Sequence, residues 1–75
     1  MPKLSPIKDR ELVAILLKIG FVEKRHHATS HKILHHPDGR RTVIAMHPGK
    51  DISTGTLRKI LRDIDIAAQD FLDLR

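Results

Sequence analysis

The sequence predicts one α+β domain of order αβββα, a three-stranded antiparallel sheet with both helices on one face. Three observations predict it. Apolar residues recur at spacings of three and four near both ends of the chain, the stripe of an amphipathic helix. Between them the pattern shortens into runs bounded by turn residues, the sign of strands. The connections between those runs are short, so the strands are expected to pair in the order they occur. With 75 residues the chain has the size of a single domain, 1–75.

Ser5 and Pro6 predict the first helix start. The hydroxyl can cap, and proline at the first helical position leaves no N–H orphaned. Asp9 and Glu11 favour the positive end of the helix dipole and Lys18 the negative end. Ile7, Val13 or Ala14, Leu17 and the Leu12–Leu16 pair form the stripe, and Gly20 can stop it in the left-handed conformation, so the helix is expected over residues 6–19. From Phe21 the period changes. Residues 21–25 and 32–36 read as short strands around a polar bend, and Pro37-Asp38-Gly39 as a turn. The β-branched run 41–46 is the third strand, ended by His47-Pro48-Gly49. Ser53 or Thr54 caps a second helix striped by Leu57, Ile60, Leu61 and Ile64, with Arg58, Lys59 and Arg62 on its other face. Asp65 is expected to cap a last turn or two over residues 66–74, with Phe71 and Leu72 as apolar contacts.

Composition narrows the function. There is no cysteine, hence no disulfide framework and no thiolate metal site. A cytoplasmic location is expected, since nothing requires an oxidising compartment. The first ten residues lack the apolar run of a signal peptide, and the longest apolar stretch, 12–17, is far short of the roughly 20 residues of a membrane span. No membrane partner is expected. Thirteen of the 14 Lys and Arg precede residue 63, against five of the nine acids, so a basic body carries a short acidic tail. Such a body suits a polyanion, the plain alternative being a basic surface kept for solubility. With no Trp or Tyr and two Phe, base stacking on aromatic platforms is excluded as a main binding mode. Recognition of nucleic acid would run through phosphates, shape and histidine.

Six histidines are the chemical oddity. Five fall between residues 26 and 36 and the sixth is His47. His27, His31 and His35 are spaced by four, which on a helix could gather a metal. Thr29, Ser30 and the following Pro-Asp-Gly disfavour a helix, and a strand would leave neighbours in that set about 13 Å apart. No metal and no cofactor are therefore expected. Most of the six are expected to be ordinary surface residues. Acid–base catalysis is the third reading, since imidazole titrates near neutrality, and the residues by themselves signal it only weakly. RNA carries its own nucleophile, the 2′-hydroxyl, and needs only a held phosphate and a proton acceptor. Paired carboxylates, a nucleophile elbow and a phosphate loop are all lacking.

The ordered set Gly20-Phe21, Ser30-His31, His36-Pro37-Asp38-Gly39-Arg40, His47-Pro48-Gly49-Lys50 and Gly55-Thr56-Leu57-Arg58-Lys59-Ile60-Leu61 resembles the HicA toxin family over about residues 8–63. The resemblance implies a fold like that of a double-stranded-RNA-binding domain. It also implies a ribosome-independent mRNA interferase, the toxin of a type II toxin–antitoxin system, silenced by a HicB-type antitoxin. The catalytic histidine of the family's Gly-Ser-His motif corresponds to His31, preceded by Ser30, with Thr29 at the glycine's position. RNA is expected across a basic surface drawn from Lys24, Arg25, Lys32, Arg40, Arg41 and Lys50, with Arg58, Lys59 and Arg62 as a second patch. His36 and His47, each before a proline, are expected to shape turns. Two alternatives stay open: an RNA-binding module of the same fold that does not cut, and a chain that serves chiefly to bind the antitoxin.

Overall fold

The computed structural model describes residues 3–24, 30–47 and 49–75. Along the chain run β1 (Ile7–Lys8), α1 (Asp9–Lys18), β2 (Val22–Lys24), β3 (His31–His35), β4 (Arg41–Ala45), β5 (Asp51–Ile52), α2 (Thr54–Asp63) and α3 (Ala68–Leu74). The expected helix–meander–helix is present, with β2, β3 and β4 antiparallel in that order.

Register separates the two faces of this sheet. Leu34 stands opposite Thr42 and Lys32 opposite Ile44 on one face, while the pairs His31–Ala45, Ile33–Val43 and His35–Arg41 point the other way. Burial falls on the first face only: Leu34 and Ile44 are fully buried and Thr42 nearly so. They share one core with Leu12 and Leu16 of α1, Leu57 and Leu61 of α2, and Phe71 of α3. All the helices therefore cover that face. The opposite face is open, with Val22 and Val43 close to half exposed.

The start of the first helix differs from expectation. It begins at Asp9 rather than residue 6, and its N-cap, Lys8, makes no side-chain capping bond. Ile7 and Lys8 are extended instead and pair antiparallel with Ile52 and Asp51. That small ladder buries Ile7 in the core at 1% exposure, which outweighs the local preference of Ser-Pro for a helix start. The Ser5 hydroxyl, expected as a cap, accepts from the Arg75 guanidinium at 3.0 Å, which also donates to the Pro6 carbonyl at 2.7 Å.

The helix ends were better written. Phe21 N–H donates to the Leu16 carbonyl at 3.0 Å and Gly20 N–H to Leu17 at 3.2 Å, the paired bonds of a Schellman motif. The same pattern closes α2, with Ile66 N–H on Leu61 at 3.0 Å and Asp65 N–H on Arg62 at 3.2 Å. Asp65 takes the left-handed turn itself, at φ 56°, so it ends α2 and does not cap α3, whose N-cap is Ala67. Ser53 caps α2 as expected, its hydroxyl accepting from Thr56 N–H at 3.3 Å.

Gly20 is required twice over. Its φ is +104°, and a Cβ there would meet His36 Nε2 at 2.8 Å. The His36 ring stacks edge-on against Phe21, centroids 5.1 Å apart, so it has little room to yield. Gly20→Ala should lower stability by at least the roughly 1–2 kcal/mol of a left-handed non-glycine residue. The shift in the urea unfolding midpoint measures it, and an unchanged midpoint would contradict the packing described.

Candidate catalytic cleft and basic groove

His31 opens β3 on the exposed face, opposite Ala45. The ladder runs one step beyond, because Met46 N–H donates to the Ser30 carbonyl at 2.7 Å. Alternation then sends Met46 to the covered side, where it packs against the core, and returns His47 to the face of His31. A cleft of about 490 Å³ between this end of the sheet and the start of α2 is lined by His31, Ala45, His47, Lys50, Thr56 and Lys59. A second hollow of about 530 Å³ is lined by Lys8, Arg10, Lys32, Met46 and Lys50. Lys50 belongs to both, so the two hollows adjoin.

One buried acid fixes this corner. Asp9, 7% exposed, accepts from Arg10 N–H at 2.7 Å and from His47 N–H at 3.0 Å. Each carboxylate oxygen thus has a donor, Oδ1 from Arg10 and Oδ2 from His47, as a buried polar group requires. Asp9 ties the loop after β4 to the first turn of α1. Sequence reasoning credited Asp9 only to the helix dipole; the tie spans 38 positions and leaves no local signal.

The residues expected to hold RNA are divided among several places. Lys24 is exposed on β2, in the row of Ile33 and Val43 on the open face. Lys32 and Lys50 reach the hollow beside the cleft, Lys32 with its Nζ 3.2 Å from Glu23. Arg41 is exposed beside His35, at the hairpin end of the same face. His31 and His35 stand about 13 Å apart along the strand, so Arg41 is remote from His31. Arg40 is occupied with holding the hairpin: Nε donates to Asp38 at 2.8 Å, Nη1 to the Ile64 carbonyl at 2.8 Å, and the guanidinium lies 5.2 Å from the Phe21 ring centroid. Arg25 and Thr29 lie outside the described residues. The second patch also divides, Lys59 lining the cleft while Arg58 and Arg62 line a shallow hollow beside Leu4.

Hydrogen bonding from the Arg40 N–H, helped by its guanidinium, holds the Asp38 carboxyl below the ordinary carboxylate range. A carboxyl with a depressed folded pKa adds stability that is present above its unfolded pKa and is lost as pH falls through the folded one, so this link weakens only in acid. His36 sits in the same hairpin, its Nδ1 accepting from Asp38 N–H at 3.2 Å, and is structural as expected. Among the described residues no three of His, Cys, Asp and Glu gather as a metal would need, and His27 lies outside them. No helix among the described residues is long and apolar enough to cross a membrane.

Imidazoles and amines that line one cleft are groups able to move a proton and to neutralise an anion. A family model described as the HicA toxin of bacterial toxin–antitoxin systems matches residues 10–66. No curated protein matches the chain.

Proposed function

This chain belongs to the HicA toxin family of bacterial toxin–antitoxin systems, and on that footing we propose that it is an endoribonuclease acting on mRNA through His31. The observation that carries the reading is the position of His31 at the rim of the cleft that Lys50 and Lys59 share. The imidazole accepts the 2′-hydroxyl proton, and the 2′-oxygen attacks the adjacent phosphorus. The bond to the 5′-oxygen breaks and that oxygen takes up a proton from an acid in the cleft or from water, leaving a 2′,3′-cyclic phosphate and a 5′-hydroxyl. Lys50 and Lys59 neutralise the non-bridging oxygens, whose charge is the main electrostatic burden of the step. The chemistry needs no metal.

Lys32 and Lys50 hold the strand beside the cleft, while Lys24 and Arg41 extend the basic surface over the open face. A HicB-type antitoxin silences the toxin by covering the cleft, with acidic groups set against Lys50 or Arg41. Removal of Lys50 should reduce the log–log salt slope of RNA affinity by about 0.7–0.9, the share of one phosphate contact. Arg40→Ala should leave that slope unchanged and lower the melting temperature, since its guanidinium holds Asp38, Ile64 and Phe21. Filter binding across a salt series, beside thermal melts, checks both. An unchanged slope for Lys50→Ala places the phosphate contact elsewhere.

A further inference from the structure

We infer that His47 is the second proton-transfer group of the cleft, so that two histidines divide the acid and base work of cleavage. The inference rests on the ribonuclease reading and goes beyond it. The sequence offered His47 as a turn-former before Pro48, and its carbonyl does accept from Lys50 N–H at 3.0 Å; the side chain has a place of its own beyond that role. His47 lines the same cleft as His31. His31 stands opposite Ala45 and His47 follows that strand by two residues; a regular continuation of the extended chain would set the two about 7–8 Å apart, the spacing of diagonal neighbours on one face. That separation suits two groups on either side of a single phosphodiester. His35 and His36, by contrast, lie at the hairpin end of the sheet.

The corner is built to hold His47 in place. Its N–H is fixed to the buried Asp9 carboxylate at 3.0 Å, and Met46 before it is bonded to Ser30. Among the described residues, the charged and titratable groups around it are His31 from β3, Lys50 from the connecting loop, Asp51 from β5, Lys59 from α2 and Asp9 from α1. Cleavage requires two proton transfers, one from the attacking 2′-hydroxyl and one to the departing 5′-oxygen. If one imidazole takes the first proton and the other, already protonated, gives the second, the step balances with no co-reactant. Hydrolysis of the cyclic phosphate, or its reversal, would restore the starting protonation.

Imidazole is the side chain whose ordinary titration falls between about pH 5 and 8, so a rate profile in that window reports on histidines. The parent should show a bell-shaped profile for cleavage of a short RNA. His47→Ala should slow cleavage by about 10²–10⁴ and convert the bell to a single limb. His31→Ala should do the same, and the double variant should be little slower than either alone, because groups acting as a unit are not additive. Affinity for the same RNA with 2′-deoxy sugars, which cannot be cut, should stay within a few-fold of the parent. His47→Gln, which keeps polarity and bulk, guards against misfolding and should match the alanine variant. Cleavage by His47→Ala close to the parent rate would overturn the inference while leaving the ribonuclease reading intact. So would a slow variant that keeps both limbs, or one that loses affinity in step with rate. A parent that does not cleave at all overturns the reading and the inference together.

Discussion

His31→Ala should reduce RNA cleavage by about 10²–10⁴ while RNA affinity changes by no more than a few-fold. At about 1.36 kcal/mol per decade the loss amounts to roughly 3–5 kcal/mol of transition-state stabilisation. The separation of rate from affinity follows from geometry. His31 lies at one end of the open face, whereas the cations assigned to phosphates are spread over Lys24, Lys32, Lys50 and Arg41. Removing one imidazole leaves those contacts in place. The side chain is exposed and outside the core, so the variant should unfold at the parent's urea concentration. Induced expression of the variant should cease to arrest growth. Full cleavage by His31→Ala would remove the catalytic assignment, and a parallel fall in affinity would make His31 a binding residue.

Phe71→Ala should be the most damaging single change to the fold. Phe71 is fully buried in the core shared by the sheet and both longer helices, although α3 lies beyond the matched residues 10–66. Truncating a buried phenylalanine costs about 3–5 kcal/mol. At roughly 0.05–0.15 kcal/mol per residue, a 75-residue domain has only about 4–11 kcal/mol in all. Much of the population should therefore be unfolded or close to it at 37 °C. Loosening α3 should also free Arg75, which holds Ser5, Pro6 and Glu11 and so steadies the segment leading into β1. Leu74→Ala, at an exposed position of the same helix, should stay within about 0.5 kcal/mol of the parent. Urea denaturation of the two variants checks the contrast, and near-equal stabilities would place Phe71 outside the core.

Features that depend on near neighbours were legible in the sequence. The Leu12–Leu16 stripe, the Pro37-Asp38-Gly39 turn, the Ser53 cap and the Gly20 stop each work within one or two turns of chain. The β1–β5 ladder was not legible, because two-residue strands more than forty positions apart carry no period. The helix start expected at Ser5-Pro6 failed for the same reason: the ladder that draws Ile7 and Lys8 out of the helix pairs them with Ile52 and Asp51, and the partner of the Ser5 hydroxyl, Arg75, lies seventy residues away. Arg40 read as one more cation on a basic surface, and only the folded chain shows its guanidinium against Phe21 and Ile64. The histidines show the limit most clearly. Composition could not separate six of them, and the resemblance singled out His31 alone. Register and face separate the described ones, placing His31 with His47 at one end and His35 with His36 at the other. Asp9, which fixes His47, was visible only as a first-turn acid.

The end groups left on RNA test the central claim most directly. Purified protein, incubated with a defined RNA in excess chelator, should release fragments ending in a 2′,3′-cyclic phosphate, the partner fragment beginning with a 5′-hydroxyl. A single 2′-deoxy sugar at the cut site should block that cut. Fragments with 3′-hydroxyl and 5′-phosphate ends, or cleavage that the chelator stops, would contradict a proton-transfer mechanism centred on His31.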